Sequence, residues 1–446
     1  MNGSKAIKAI KATAFSLIFI LLFLIVSHVL TVSSSDLEYH RMTGIYNEPE
    51  NSLDAVYIGS SNCYAFWNQL LAWEEYGIAV YPYTCSSMPL MVTEYMIREA
   101  RKTQPDALYI VNINTLEDSE LNDVVMHRLL DYMPLSSNKL ELTRYMSDTL
   151  GYSFTERLEF YFPILRYHSR WNELTAYNFT DDYDSLKSSS QYPAYLISST
   201  DISDVYQISK EEGEISDALS DSLDRLLNYC TEEKVNVLFV AVPRAEEKAE
   251  TVQKINTVKN IISEKGFDVL DLMDKTDQIG LDLKTDYYNR SHTNIHGSIK
   301  YTHYLSKYLV EKYGFEDKRS NVDYVSWNEA LDKYMDVVDS YILNFETDPQ
   351  HHDSRLSAPG SLTADAGDSV ITVEWERVKG AEGYAVYKKI EKNGAWKQVT
   401  VTDELVFKDT VVSEDKTYYY TVAPYYVENG QRYYGDYLYN GVSTTL

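Results

Sequence analysis

Short apolar runs separated by amphipathic segments dominate the middle of the chain. The runs have the length of buried strands and lie at residues 53–58, 78–83, 107–113, 235–242 and 268–272. Helical amphipathic patterns lie between most of them, at residues 64–76, 90–102, 215–233 and 247–265. Strands that are apolar on both faces and joined by helices are typical of a parallel sheet with helices on both sides. The pattern predicts an α/β domain over residues 36–346, built on a doubly wound, five-stranded parallel sheet.

A longer apolar run precedes this domain. Residues 12–32 carry no charge and follow Lys5, Lys8 and Lys11. At 1.5 Å per residue a helix of this length crosses a bilayer of about 30 Å. Positive charge on the short N-terminal side predicts that residues 1–35 form a cytoplasmic tail and a single membrane anchor, with the rest of the chain extracytoplasmic. A signal peptide cleaved near Ser33-Ser34-Ser35 is the alternative.

The period of the pattern changes after residue 346. Residues 347–357 form a polar linker, and residues 358–446 show period-two strands at 369–375, 383–388 and 417–422. These strands predict a C-terminal β-sandwich. With Ala358-Pro359 opening the first strand and Trp375 in the core, the segment resembles a fibronectin type III module, which implies a spacer or adhesion element.

The strand and helix alternation is interrupted at about residues 117–205. This polar, aromatic-rich insertion includes Phe160-Tyr161-Phe162-Pro163 and Asp181-Asp182-Tyr183-Asp184. Because it follows the third strand, we expect it to lie over the carboxyl edge of the sheet as a lid. Its aromatic side chains suit a glycan or an acyl chain, or pack the lid onto the sheet.

Charge and cysteine content narrow the functional classes. The 446 residues include 41 basic and 67 acidic ones, and a net charge of −26 argues against nucleic acid and anionic membrane surfaces as ligands. Three cysteines are few for an exported chain, so disulfides are not its main source of stability, although a Cys63–Cys85 bridge is an open alternative. No metal-ligand spacing is evident, and no cofactor or metal is predicted.

The first predicted strand ends in a Gly59-Ser60-Ser61 corner that opens a helix. A hydroxyl at such a corner is raised above the sheet edge, beside amide groups that can stabilise an anion. Ser61 is therefore the candidate nucleophile. Far downstream, His292 lies in a loop that enters a helical pattern, where it can serve as the base that a serine needs.

These two blocks together resemble the SGNH/GDSL hydrolase superfamily over roughly residues 40–315. The Gly59-Ser60-Ser61 turn matches the nucleophile block of that superfamily, and His292 matches its Asp-x-x-His block. Residues 294–297 and 302–305 are similar to a pattern in the branch of the lipoteichoic acid D-alanylation protein D and alginate O-acetyltransferase J proteins. The resemblance implies serine esterase or O-acyltransferase activity.

Two elements of the superfamily pattern are altered. Asn289 stands where the family has the acid that orients the histidine, so either the Asn289 amide or Asp286 is expected to hold the ring. No glycine follows the second strand, so an amide near Thr84 to Ser86 would complete the oxyanion hole. Asn114, or Asn112 on the same face of the third strand, is the candidate side-chain donor.

The sequence supports two functional hypotheses. The first is a membrane-anchored, extracytoplasmic esterase or O-acyltransferase that acts on acylated cell-wall or exopolysaccharide glycans, with Arg244 at the same sheet edge as a substrate-binding residue. The resemblance implies a cell-surface polysaccharide and a membrane-bound O-acyltransferase as partners. The second is a catalytically silent glycan-binding or scaffolding protein that retains the fold.

Overall fold

The computed structural model describes residues 3–31, 37–116, 121–179, 187, 209–283, 286–342, 355–390, 396–428, 431–438 and 440–446. The described helices are α1 Gly3–Thr31, α2 Leu37–Thr43, α3 Ser61–Phe66, α4 Gln69–Tyr76, α5 Thr93–Ala100, α6 Asp123–Leu130, α7 Ser137–Leu150, α8 Phe154–Tyr161, α9 Ile164–Tyr167, α10 Asp217–Glu232, α11 Ala249–Glu264, α12 Thr276–Ile279, α13 Ile295–Tyr313 and α14 Val325–Ile342. The strands of the first domain are β1 Ala55–Gly59, β2 Val80–Thr84, β3 Leu108–Asn112, β4 Val237–Ala241, β5 Asp268–Asp271, β6 Tyr287–Asn289 and β7 His292–Thr293.

The five predicted strands form one parallel sheet in the order β2-β1-β3-β4-β5. The first four strands are buried along their whole length, which explains their continuous apolar runs. The strand order changes direction at β1, so the loops after β1 and β3 diverge there and leave a crevice at the carboxyl edge. The parallel five-stranded sheet with its helices confirms the predicted α/β architecture.

Each face of the sheet has its own hydrophobic core. One core joins the sheet to α5, α10, α11 and the helices α6 to α8 of the insertion. The other joins it to α3, α4 and α13. The nucleophile turn and the histidine loop are both attached to the second core, so the packing of α13 on α3 decides their separation.

The predicted single helix at residues 64–76 is wrong in its bounds. The chain instead forms α3, which begins at Ser61, and α4, with a break at Trp67 and Asn68. Asn68 adopts an extended conformation and its side chain accepts a hydrogen bond from Leu71 N, so it caps α4 and ends the preceding helix.

Residues 121–179 of the insertion form four helices followed by short 3₁₀ turns. The first three of these helices contribute Met126, Leu142 and Phe160, among others, to the core under the sheet. Residues 117–120, 180–186 and 188–208, including Asp181 to Asp184, lie outside the described residues. Closure of the insertion over the sheet edge stays a prediction.

The N-terminal helix α1 includes a 25-residue stretch, Ile7–Thr31, that is long and apolar enough to cross a membrane. Its mean hydropathy is 2.5 and most of its side chains are exposed. Helix α14 closes the first domain at residues 325–342.

The C-terminal domain is an antiparallel sandwich of two sheets. Its strands are β8 Thr363–Gly367, β9 Val370–Glu374, β10 Gly383–Lys389, β11 Lys397–Thr402, β12 Val406–Asp409, β13 Thr417–Glu428, β14 Gln431–Tyr434 and β15 Val442–Thr445. The sheet orders are β12-β9-β8 and β11-β10-β13-β14. Trp375 and Tyr384 pack in its core, and the Tyr418 hydroxyl accepts a hydrogen bond of 2.8 Å from Ser413 N. This bond from a strand to the corner five residues earlier is the tyrosine corner of immunoglobulin-like sandwiches.

Candidate functional site

The candidate nucleophile lies at the carboxyl end of the central part of the sheet. Ser61 is the first residue of α3, directly after β1, and it is half-buried. The turn is tight because a Cβ on Gly59 would lie 2.5 Å from Cys63 Sγ and 2.7 Å from Asn112 Cβ. The Ser60 hydroxyl bonds to Thr115 Oγ1 at 2.7 Å, which ties the turn to the loop after β3.

The candidate base lies on a small hairpin formed by β6 and β7. Asn289 makes the turn of this hairpin, because its Oδ1 accepts hydrogen bonds from Ser291 N at 2.9 Å and His292 N at 3.0 Å. The same oxygen lies 3.0 Å from His292 Nδ1. A short side chain that bonds to the backbone two and three residues onward is a normal turn device, and here it also holds the imidazole.

The hydrogen bonds around Asn289 assign the histidine tautomer. Because two backbone amides donate to the Asn289 oxygen, that atom is an acceptor, and His292 Nδ1 must carry the hydrogen. His292 Nε2 is then an acceptor, and it lies 2.8 Å from Ser61 Oγ. The Ser61 hydroxyl therefore donates to the nitrogen that can take its proton.

Helix α13 brings these two residues together across 231 positions of sequence. The Ser298 hydroxyl donates to Phe66 O at 3.1 Å, and the Thr302 hydroxyl accepts from Asn68 N at 2.9 Å. The Thr293 hydroxyl also donates to Ala65 O. These hydroxyls satisfy backbone groups at the break between α3 and α4, where no helical partner exists.

Burial and, to a smaller extent, the positive charge of Arg244 lower the pKa of His292 to about 4. The group at Nδ1 is the Asn289 amide, which carries no charge to oppose these effects. The imidazole is therefore neutral near pH 7 and ready to accept a proton.

This shift predicts a measurable dependence on pH. We expect the His292 ring to titrate near pH 4 by NMR. Between about pH 6.5 and 4 the unfolded chain binds a proton at this residue and the native chain does not, so this histidine makes folding less favourable as the pH falls. His292→Gln should remove that part of the loss of stability. A His292 titration at or above pH 6.5 would contradict the account.

Asp286 lies apart from the Nδ1 atom of His292. Its side chain is fully buried and accepts hydrogen bonds from Lys300 Nζ at 2.6 Å and from Asp282 N at 2.8 Å. A Cβ on Gly297 would lie 2.3 Å from Asp286 O, so α13 packs directly on this segment. Asp286 braces the start of α13, and Asn289 is the residue that contacts the imidazole.

The two asparagines of β3 bond to each other and to the end of β4. Asn114 Oδ1 accepts from Val242 N at 2.8 Å, and Asn114 Nδ2 donates to Val242 O at 3.1 Å. Asn112 Nδ2 donates to Asn114 Oδ1 at 3.1 Å, and Asn112 Oδ1 accepts from Asn114 N. Both side chains are buried, and these bonds use one of the two hydrogens of each amide nitrogen. Their role as oxyanion donors stays a prediction.

The amides after β2 also have partners. Cys85 N donates to Gly59 O at 3.2 Å, and Ser86 N donates to the Glu38 carboxylate at 3.3 Å. Neither is free to bind an oxyanion in this conformation. The amide of Ser61 opens α3, where a helix provides no backbone acceptor, so it is a candidate oxyanion donor beside the nucleophile.

Asn62, which the sequence analysis did not identify as a site residue, links Arg244 to the nucleophile turn. Arg244 Nε donates to Asn62 Oδ1 at 3.1 Å, and Asn62 Nδ2 donates to Ser60 Oγ at 3.2 Å. Glu247 accepts from Arg244 Nη1 at 2.8 Å. The position of Asn62 directly after Ser61 could have identified it, because a side-chain amide that is buried at the start of a helix needs polar partners.

The remaining titratable candidates lie elsewhere. His303 Nδ1 contacts Glu75 Oε1 at 2.8 Å, and His296 contacts Gln398 of the C-terminal domain. Cys63, Cys85 and Cys230 are buried and form no disulfide, so the Cys63–Cys85 alternative is not formed. Within the described ranges no group of three or more His, Cys, Asp or Glu is placed to hold a metal ion.

Comparisons with known proteins reach only part of the chain. No protein-family model matches the sequence, and no related curated protein was found. A mutant of the FN3tt domain matches with 19% identity and a TM-score of 0.17, over 20% of this chain and 94% of its own. An Fn3-like protein from Clostridium thermocellum matches with 24% identity and a TM-score of 0.16, over 20% of this chain and 92% of its own.

A β-1,2-glucanase from Parabacteroides distasonis matches with 22% identity and a TM-score of 0.18, over 20% of this chain and 12% of its own. The C-terminal domain is fibronectin type III-like. Its two sheet orders and its tyrosine corner carry this assignment.

Proposed function

We propose that the chain is an extracytoplasmic serine esterase or O-acyltransferase of the SGNH/GDSL type, anchored by α1. The observation that supports this proposal most directly is the Ser61–His292–Asn289 arrangement at the carboxyl edge of the parallel sheet. Ser61 Oγ lies 2.8 Å from His292 Nε2, and His292 Nδ1 lies 3.0 Å from the Asn289 oxygen. Nucleophile, base and orienting group are thus within hydrogen-bond reach in the order that acyl transfer requires.

The reaction follows from this geometry. His292 Nε2 takes the Ser61 proton as Oγ attacks the carbonyl carbon of an ester, and a tetrahedral oxyanion forms. The imidazolium then gives the proton to the departing alcohol, the ester C–O bond breaks, and the acyl group remains on Ser61. Water or a sugar hydroxyl, deprotonated by His292, attacks this acyl-enzyme and restores the serine.

The oxyanion requires hydrogen-bond donors beside Ser61, and Asn114 or Asn112 stays the predicted side-chain donor, through the second hydrogen of its amide nitrogen. We assign the backbone part of this role to the Ser61 amide, with Arg244, which bonds to Asn62, adding a positive charge near the site.

Acylated cell-wall or exopolysaccharide glycans are the proposed substrate class, with a membrane-bound O-acyltransferase as a partner for the transfer reaction. Both follow from the superfamily resemblance and from the export that α1 implies. A fibronectin type III-like domain on the same chain fits a protein that works at the cell surface.

A second function is favoured by a separate set of observations. Asn112, Asn114 and the amides of Cys85 and Ser86 all have partners, and His292 faces an amide in place of a carboxylate. A protein that retains the fold to bind glycans or to act as a scaffold needs neither an oxyanion hole nor an acid.

Covalent labelling separates the two functions. A fluorophosphonate probe reacts with a serine only where a base activates the hydroxyl. We expect labelling of the full chain at pH 7 to 8, and none of Ser61→Ala. The absence of Ser61-dependent labelling in folded protein would support the silent alternative.

A further inference from the structure

The C-terminal end of α1 packs against the insertion of the first domain. Four side chains that recur along one side of the helix, Phe23, Ser27, Leu30 and Thr31, are partly or fully covered, whereas most of the others on α1 are exposed. Their spacing of four, three and one residues places them on a single helical stripe. The anchor is therefore docked on the domain along its last two turns.

Residues 162–179, here called the docking segment, make this contact. The ring of Phe162 meets that of Phe23 edge-on, with 6.2 Å between centroids. Arg170 Nη1 donates to Leu30 O at 3.0 Å and to Thr31 O at 3.3 Å, and Asn178 Nδ2 donates to Val29 O at 3.3 Å. These donors satisfy carbonyls at the end of α1 that have no helical partner.

The contact with Phe23 determines how deep the docking segment lies in the membrane. Phe23 lies eight residues before Thr31, which is about 12 Å along the helix axis. The uncharged part of α1, residues 12–31, is about 30 Å long, which matches the hydrocarbon core of a bilayer. If α1 spans the membrane, Phe23 lies inside the hydrocarbon of the leaflet from which the domain emerges, and Phe162 beside it lies there too.

The docking segment presents large apolar side chains that the described part of the protein leaves half or mostly exposed. Phe162 is 45% exposed, Leu165 49%, Trp171 72% and Phe179 67%. Aromatic side chains of this kind are typical of the boundary between hydrocarbon and headgroups.

The charge of this region also differs from that of the whole chain. Residues 154–179 contain three acidic and three basic residues, whereas the chain carries 67 acidic against 41 basic ones. The region is therefore free of the net negative charge that would repel a membrane surface.

We propose that the apolar side chains of the docking segment are embedded in the leaflet from which α1 emerges, so that lipid acyl chains cover them. The domain is then held against the membrane in a fixed orientation by α1 and this segment together. The inference rests on α1 spanning the bilayer and is independent of any catalytic activity.

Site-specific fluorescence in lipid nanodiscs tests this inference with the full chain. Phe162→Cys and Trp171→Cys are each labelled with an environment-sensitive dye, and quenching by aqueous iodide is compared with quenching by lipids that carry a nitroxide on the acyl chain. Leu17→Cys, in the middle of α1, reports on the bilayer centre. Leu135→Cys, which is in the same insertion and 71% exposed, is the matched control.

We expect the dyes at 162 and 171 to be quenched by the lipid nitroxide and protected from iodide, as at 17, and the dye at 135 to show the reverse. Iodide quenching at 162 and 171, with lipid quenching at 17, would overturn the inference and leave the anchor intact. Iodide quenching at 17 would overturn the anchor and the inference together. Protection from both quenchers at 162 and 171 would mean that protein covers the segment and would also overturn it.

Discussion

Asn289→Asp should raise the esterase turnover of this protein by about 10- to 100-fold near neutral pH. Every described contact to Asn289 Oδ1 comes from a donor, namely Ser291 N, His292 N and His292 Nδ1, so a carboxylate oxygen fits the same position. A full negative charge 3.0 Å from Nδ1 stabilises the imidazolium, which an amide cannot do. The pKa of His292, now lowered to about 4, should rise toward its ordinary value.

Two measurements on the same variant make this test specific. The titration of the His292 ring by NMR reports the pKa, and the ratio kcat/KM on a chromogenic acetate ester reports turnover. Ser61→Ala in the Asn289→Asp background is the control, because it should lose the gain entirely. A raised pKa without a gain in Ser61-dependent turnover would show that the missing charge does not limit catalysis.

Lys300→Met should destabilise the protein by about 3–5 kcal/mol, because it leaves a buried carboxylate without its partner. Lys300 Nζ lies 2.6 Å from Asp286 Oδ2, and the two side chains are 7% and 0% exposed. Urea unfolding of the first domain measures the effect. Asp286→Leu combined with Lys300→Met should recover most of the loss, because no unpaired charge then remains.

The same helix offers a matched control for this prediction. Lys312 pairs with Asp268 at 2.7 Å, but the side chains of that pair are 35% and 60% exposed. Lys312→Met should therefore cost less than about 1 kcal/mol. Equal losses for Lys300→Met and Lys312→Met would contradict the bracing role assigned to the buried pair.

The fold could be predicted from the sequence because its strands are buried on both faces. Continuous apolar runs at the positions of β1 to β4 leave few alternatives to a covered parallel sheet, and the period-two pattern after residue 358 indicates a different architecture. The break between α3 and α4 was missed, because helical periodicity continues across Trp67 while Asn68 interrupts it locally.

Part of the site could be predicted, because the carboxyl ends of parallel strands lie at the same edge of the sheet. Ser61 and His292 were each marked by a turn that leads into a helix, and the structure brings these two side chains together. The partners of Asn114, Asp286 and Arg244 could not be foreseen. Each bonds to a residue fixed by packing between distant elements, and no local pattern specifies such pairs.

Asn289 shows what sequence spacing can and cannot predict about this site. Its spacing from His292 suggested the orienting position, and its role in the hairpin turn explains why an amide can occupy that position. Whether the amide suffices for catalysis depends on how the imidazolium is stabilised, which is an energetic property and not a matter of spacing.

The most direct measurement for the proposed serine chemistry is the intact mass of the full chain after reaction with a fluorophosphonate probe, followed by mapping of the modified peptide. We expect one adduct per chain, located on Ser61, formed slowly in His292→Ala and absent in Ser61→Ala. An unmodified wild-type protein, or an adduct on another residue that persists in Ser61→Ala, would contradict it.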